Sequence, residues 1–452
     1  MDARTRLLLE SPIAPTLIRM GLPNMLVLFT QAAVGLLETW YIGRLGTSPL
    51  AGVSLVFPLI MFMQMTSNGA MGGGISSAIA RALGAKRGGD ANDLVWHACV
   101  IALVFGLLFA LVLLVSGRWI YSLMGGSGAA LEAALLYSNL VFAGAPLIWV
   151  FNALSASIRG TGNMKLQAWV IVGGALLQVP LSALLIFGWG PVPGWGVAGG
   201  AVGLLSFYVI GLIALLAYLR APHSLLQPLW QRLTWRKVLF NDVLKVGLMG
   251  IFSTVATNLA IGFATAMVGR FGAEAIAGYG TASRLEYLLI PVVFGFGGPL
   301  VAVVGTCMGA RLHDRAMKAT WIGAAFAFGA AEVVGLLAAM FPHAWLGLFG
   351  TDPALMETGA RYLRIVGPFY GFFGLGIILY FASQGAGRLL WPILGNLLRL
   401  VIALAGGWVA MHHFNSLTGV FVAQAAGLLA YGMLNAWAIH RGAFFGPILS
   451  KA

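Results

Sequence analysis

Charged side chains make up only 9% of this 452-residue chain, where soluble domains carry about 25%. That scarcity excludes a protein dispersed in water, and no hydrophilic stretch is long enough to fold separately. Cysteine is nearly missing. Cys99 and Cys307 both fall inside apolar segments, so each is expected to be a small buried hydrophobe, not a disulfide partner or metal ligand. The seven histidines are scattered, and His412-His413 reads as a helix-end interface pair. There is no H-E-x-x-H, no Walker A lysine loop and no D-x-x-D pair at a membrane face. Such gaps leave no signal for an enzyme, for ATP binding, for a cofactor or for a resident metal. The N-terminus also lacks a short apolar core with a small-residue cleavage site, so no cleaved signal peptide is expected.

What is there is apolar. The chain is 60% hydrophobic with a mean hydropathy of +0.92. Spanning hydrocarbon takes about 20 mostly apolar residues, and such runs recur from end to end. We read twelve spans, roughly 13–43, 49–81, 93–115, 133–158, 165–189, 196–220, 240–269, 275–310, 317–341, 355–385, 390–412 and 417–440. The net charge of +13 invites a nucleic-acid reading, but its distribution argues for lipid. With the N-terminus placed in the cytoplasm, only Arg44, Arg118, Arg270, Arg361 and Arg364 lie outside, and Arg284 lies inside a span. Every other Lys and Arg, from Arg4 to Lys451 and including Arg159, Arg232 and Arg399, is assigned to cytoplasmic tails, loops and helix ends. This bias follows the positive-inside rule, with both termini cytoplasmic and no nucleic-acid partner.

The sequence repeats itself. GRLG at 43–46 and GRFG at 269–272 stand 226 residues apart, as do Leu50-Ala51-Gly52 and Ile276-Ala277-Gly278. Gly84-Ala85-Lys86 and Gly309-Ala310-Arg311 are offset by 225, and so are Arg159-Gly160-Thr161-Gly162 and Gln384-Gly385-Ala386-Gly387. Six spans fit in the offset, so the copies are parallel, an arrangement many secondary transporters use. The expected organisation is all-α and membrane-integral. A six-helix lobe over 1–220 and another over 238–452 are joined by the basic, Pro-containing linker 221–237.

A charge in mid-membrane costs about 2.5–3.5 kcal/mol on insertion scales, so it usually faces a partner or an aqueous path. Three acids fall inside spans: Glu38, Glu286 and Glu332. Glu38 shares a helical face with Asn24 and Gln31, since steps of seven return to one side. Gln64 with Asn68, and Asn152 with Ser155, form further stripes in the first half. Two readings of Glu38 stand open: a hydrated pocket, or a carboxylate near the outer surface that snorkels or pairs with Arg44. Glu286 lies deeper, with Arg284 as its candidate partner from a neighbouring turn or helix. Thr254, Asn258 and Thr265, with Tyr380 and Gln384, form the polar lining of the second half. Glu332 is read as a helix contact in the outer half. Pro23, Pro58, Pro146, Pro180, Pro291 and Pro368 interrupt spans, and each frees a carbonyl. Gly72-Gly73-Gly74 and Gly297-Gly298-Pro299 occupy matching places.

Several stretches together resemble one family. They are GLPNML, the acid-Thr pair before GRLG, GAKR, RGTGNMK, GYGTASRLEYLLIP and QGAGRLLWP. The chain is similar, over nearly its whole length, to the bacterial multidrug and toxic compound extrusion (MATE) transporters. The resemblance implies two six-helix lobes in a V around a central cavity, in the cytoplasmic membrane, exporting organic cations in exchange for H⁺ or Na⁺. It places Glu38 at the family's first-helix acid, usually Asp, and Glu286 at the acid of an R-x-E segment. Asn152 and Gln178 fall near further polar family positions. Apart from Asp242 and Glu357 at their ends, the seventh and tenth spans hold no acid, which argues against a sodium site of the type built there, although Glu38 or Glu286 is an alternative sodium site. The expected working unit is a monomer. A flippase for lipid-linked precursors is the alternative, but would want a strongly basic cavity. A major-facilitator carrier would want D-R-x-G-R-R where this chain has GAKRGGD.

The topology is checked by cysteine labelling. In a chain with Cys99 and Cys307 replaced by alanine, a cysteine at Ala221 should react with impermeant maleimide only from the cytoplasmic side. Labelling of intact cells from outside overturns the orientation.

Overall fold

The computed structural model describes residues 2–228, 235–350 and 352–444. Part of the linker, 229–234 with Arg232, and the C-terminal tail 445–452 with Lys451 lie outside the described residues. A short helix α1 (Ala3–Glu10) precedes α2 (Ile13–Gly43). Next come α3 (Thr47–Gln64), a π turn (Met65–Met71) and α4 (Gly72–Gly84), continuous enough to form one span. After α5 (Gly88–Leu123), α6 (Gly128–Ala143) and α7 (Ala145–Gly160) meet at a 49° bend, where Pro146 opens the second helix. Helices α8 (Met164–Phe187) and α9 (Val197–Arg220) are joined by a two-residue antiparallel hairpin, Gly188–Trp189 with Val192–Pro193. The second half runs through α10 (Lys237–Gly269), α11 (Ala273–Gly309), α12 (His313–Met340) and the short α13 (Pro342–Leu346). Helices α14 (Pro353–Val366) and α15 (Tyr370–Ala386) flank a 3₁₀ turn at Pro368. A second π turn (Ile402–Gly406) separates α16 (Leu390–Val401) from α17 (Gly407–Phe414), and α18 (Leu417–His440) follows.

Among the described residues, eleven helices are long and apolar enough to cross a membrane, and there are twelve such spans if the bent pair α6–α7 is counted as one. The chain is therefore an all-helical membrane protein. Contacts divide it into two compact units. One holds Leu26–Gly247 with the extreme N-terminal residues; the other holds Arg6–Met25 with Leu248 onward.

The repeat is written in the backbone. Gly46 (φ 123°) answers Gly272 (φ 109°), and Gly162 (φ 79°) answers Gly387 (φ 72°). More telling are Lys86 and Arg311, two non-glycines both at φ 60°. Each sits just past a helix end. The amide after it returns to the carbonyl five residues back, Arg87 N to Ala82 O and Leu312 N to Cys307 O, both 2.9 Å. These are Schellman closures, which satisfy carbonyls left over by the helix. Close packing repeats too. A Cβ on Gly52 would stand 2.6 Å from the Ala130 carbonyl oxygen, and one on Gly278 would stand 2.7 Å from that of Leu355.

Unit two explains why Asn24 is polar. Proline at 299 has no N–H to give the Gly295 carbonyl four residues back. Asn24 Nδ2 supplies it at 3.0 Å, and also reaches the Phe294 carbonyl oxygen at 3.1 Å. The helix is pressed close there, since a Cβ on Gly295 would meet Met25 Cγ at 2.3 Å. Arg315 holds the end of α1 in the same unit, donating to the carbonyls of Leu8 at 3.1 Å and of Ser11. The expected face of Asn24, Gln31 and Glu38 is thus divided: Asn24 serves the second unit, while Gln31 and Glu38 belong to the first.

Unit one fastens the linker. Just beyond it, on α10, both carboxylate oxygens of Asp242 accept from Arg81 Nη2 at 2.9 Å. Arg236 binds Asp90, and its backbone N–H donates to buried His97 Nε2 at 3.1 Å. Of the cysteines, Cys307 is buried and Cys99 half-buried, and both are free thiols.

Replacing Asn24 by alanine strands the carbonyl of buried Gly295. The expected loss is about 1–3 kcal/mol, read as a lowered melting temperature in detergent. Unchanged melting would overturn this role.

Candidate functional site

Glu38 lies in the last turns of α2, which runs on to Gly43, and is half-buried in unit one. Gln178 Nε2, from α8, donates to Glu38 Oε1 at 3.3 Å, and Ser182 and Tyr137 stand beside the carboxylate. Glycine at 203 lets α9 approach, because a Cβ there would overlap Ser182 Oγ at 2.1 Å. Arg44 does not pair with Glu38; its guanidinium lies 5.0 Å from the Trp40 ring centroid. No Lys or Arg stands within ion-pair distance of Glu38 among the described residues.

A second group of polar side chains lies where the π turn interrupts the span. Asn152 Nδ2, from α7, donates to Gln64 Oε1 at 3.1 Å and to Ser67 Oγ at 2.8 Å. Gln64 Nε2 donates to the Tyr208 hydroxyl of α9. Arg159 Nη1 donates to Asn68 Oδ1 at 2.7 Å. The sequence stripes Gln64–Asn68 and Asn152 therefore converge, and Gln178 joins Glu38. Gln31 is exposed. Sequence reasoning missed Tyr208, Tyr137, Ser182 and the burial of Arg159. A lone Tyr or Ser in an apolar run carries no signal of what it faces. Arg159 lies in the last turn of α7 yet is only 8% exposed.

In unit two, the Tyr362 hydroxyl donates to Glu286 Oε1 at 2.6 Å, with Tyr370 beside it. Tyr279, Tyr362 and Phe421 pack edge and face around this point. Arg399 is the arginine on the Glu286 side, beyond ion-pair distance from it among the described residues, and is seated over the Phe373 ring at 5.3 Å. Arg284, expected as the partner, instead points to Phe349, 5.8 Å from its ring centroid, and is exposed. The reason is helical geometry: two residues apart do not share a face. Arg399 is not at a helix end either, since α16 runs through the π turn into α17 and leaves it mid-span.

The remaining residues sort plainly. Asn258 is exposed and bonds the Thr254 carbonyl of its own helix at 2.9 Å. Gln384 is buried, with Nε2 at 3.4 Å from the Tyr380 hydroxyl. Glu332 Oε2 accepts the Gly371 amide at 2.8 Å, capping α15 beyond the break at Pro368. A further polar knot, unforeseen, joins Asn396 Nδ2 to the Ser253 carbonyl (2.9 Å) and to Thr257 Oγ1 (3.0 Å). Among the described residues, no group of three or more His, Cys, Asp or Glu could hold a metal ion.

A chain of repeated six-span halves, with acids and amides placed inside the spans, has the make-up of a membrane transporter. The MatE family model matches residues 23–184 and 251–409, and the chain belongs to that family, the MATE transporters. It is a transporter and not an enzyme. It is similar to the FAD transporter of Shewanella oneidensis, 26% identical over 88% of each chain. It is also similar to the probable multidrug resistance protein NorM of Thermotoga maritima, 24% identical over 92% of this chain and 90% of that one. Among solved structures, a MOP superfamily transporter from Pyrococcus furiosus superposes with a TM-score of 0.88 at 23% identity. That match covers 99% of this chain and 100% of the other, and it shows the shared fold.

Removing the Tyr362 hydroxyl takes away a donor to a buried carboxylate. Tyr362→Phe is expected to cost about 1.5–3 kcal/mol, measured by thermal unfolding in detergent. A variant as stable as the parent overturns the pairing.

Proposed function

We propose that this chain is a secondary antiporter of the bacterial cytoplasmic membrane, exporting organic cations in exchange for protons. The observation that carries the reading is Glu38, an in-span carboxylate with an amide donor and no cationic side chain at ion-pair distance among the described residues. A desolvated charge is costly unless compensated. A proton or a cationic cargo each supplies that compensation, and one excludes the other. Exchange follows from the competition: protonation from the outer side neutralises the carboxylate and releases the cargo. Gln64, Asn68, Asn152 and Gln178 supply hydrogen-bonding edges for cargo, and Gln31 lines the approach. In the second lobe Glu286 is a further titrating group, with Arg284, Asn258, Tyr380 and Gln384 as lining. The working unit is a monomer of two lobes, 1–220 and 238–452, joined by the linker 221–237, with both termini cytoplasmic. Sodium is the alternative coupling ion.

The similarity to an FAD transporter makes a flavin dinucleotide the competing cargo. Proteoliposomes with separately imposed pH and sodium gradients decide, using a fluorescent organic cation in one set and FAD in the other. Glu38→Gln should lower proton-driven cation export about tenfold or more, corresponding to ~1.4 kcal/mol or above, and Glu286→Gln should lower it less. Undiminished export by both variants, or gradient-driven transport of FAD but not of the cation, would falsify the reading.

A further inference from the structure

The π turn in unit one has an unusual holder. Residues Met65–Met71 carry the wider helical turn, entered and left through right-handed helical residues at Gln64 (φ −67°) and Gly72 (φ −60°). A π turn inserts a residue into the α ladder, so its carbonyls lose their usual partners, and such turns cluster at functional sites. Helix α7 grips this one at two levels seven residues apart, which is one helical face. Asn152 holds Ser67 and Gln64. Arg159 holds Asn68 twice, Nη1 to the side-chain oxygen at 2.7 Å and Nη2 to the backbone carbonyl at 3.2 Å. Gly72 makes the space: a Cβ there would stand 2.9 Å from Arg159 Nη2. Arg159 is buried, and no carboxylate lies within ion-pair distance of it among the described residues. Its known bonds all go to one residue of the turn.

We propose that Arg159 is a positioning residue for transport: it holds 65–71 in the π register and so sets the edge that Gln64, Ser67 and Asn68 present to the cargo. The proposal rests on the reading that these side chains meet the transported molecule. Its logic is rotational. Each residue added to or removed from a helix turns the remainder of that helix by about 100°. Collapse of the π turn to an α turn would therefore swing Ser67 and Asn68 away from Gln64. Two arms of a guanidinium can hold a side-chain oxygen and a carbonyl of the same residue together; a lysine ammonium lacks that fork.

Arg159→Gln, Arg159→Lys and Gly72→Ala test it. The last keeps the arginine but displaces the end of its side chain, and so stands if the first two fail to fold. Two readouts are needed: the half-saturating cation concentration against maximal rate, and hydrogen–deuterium exchange of the amides of 65–71 in nanodiscs. Arg159→Gln and Gly72→Ala should raise the half-saturating concentration roughly tenfold and speed exchange in 65–71, with lysine giving no rescue. Full protection of 65–71 in Gly72→Ala, or recovery of affinity in Arg159→Lys, overturns the proposal. A uniform loss of protection across the protein with unchanged affinity overturns it as well, because it marks a merely structural role. The exchange readout is independent of transport: if Glu38→Gln and Glu286→Gln both export normally while 65–71 still loosens in Gly72→Ala, the antiport reading fails and the positioning role stands.

Discussion

Hydrocarbon offers a freed backbone group no hydrogen-bond partner, so the protein must supply one wherever a spanning helix departs from the regular ladder. Three departures show how this chain meets the demand. Proline at 299 strands the Gly295 carbonyl, and Asn24 answers it. The 3₁₀ turn at Pro368 leaves the Gly371 amide at a helix start, and Glu332 answers that. The π turn at 65–71 presents the Asn68 carbonyl to Arg159. In each case a polar or charged side chain that would be costly alone is matched to a backbone group equally costly alone. The pairing accounts for Glu332 and Asn24 without any role in transport.

Such repairs can be made differently in the two halves even where the frame is the same. The turns at Gly46 and Gly272, Lys86 and Arg311, Gly162 and Gly387 keep their backbone angles. The polar groups do not follow. Glu38 is answered by Ala264, Asn152 by Ile377, and Arg159 by Gln384. The π turn has no counterpart either, since the same stretch of the second half runs within α11 as continuous helix containing Pro291. One half therefore carries a carboxylate held by one amide beside a separate group of amides at the π turn, the other a carboxylate among tyrosines. Duplication supplied the scaffold, and chemistry then diverged on it.

That division explains what was legible in advance. Span number, repeat and all-helical class follow from apolar run length and from glycines at fixed offset, both local properties of the string. Side-chain pairing across helices is not local. Gln178 lies 140 positions from Glu38, and Tyr362 lies 76 from Glu286, so no periodicity could join them. Arg399 is different. It already lay inside the span drawn at 390–412, yet counting charge by side of the membrane filed it with the helix ends. Depth within a span is the quantity that such counting discards; Arg159 does lie in the last turn of its helix, as expected, and only its burial was illegible.

The contrast between the two carboxylates bears on which one exchanges ions. Two unit charges at 4 Å interact by about 4 kcal/mol at an effective dielectric of 20. A carboxylate that already feels a fixed cation has part of that interaction taken up, and any second cation must also meet repulsion. Glu286 is only partly in this position: Arg399 lies on its side of the lobe but beyond ion-pair distance among the described residues, and the Tyr362 hydroxyl donates to it. Glu38 has the Gln178 amide, which carries no net charge and can present its oxygen as readily as its nitrogen. On the proposed antiport reading, the larger change in interaction energy on gaining or losing a cation therefore belongs to Glu38. The asymmetry that the repeat makes visible, an acid in one copy and alanine in the other, falls at the position where exchange has the most to gain.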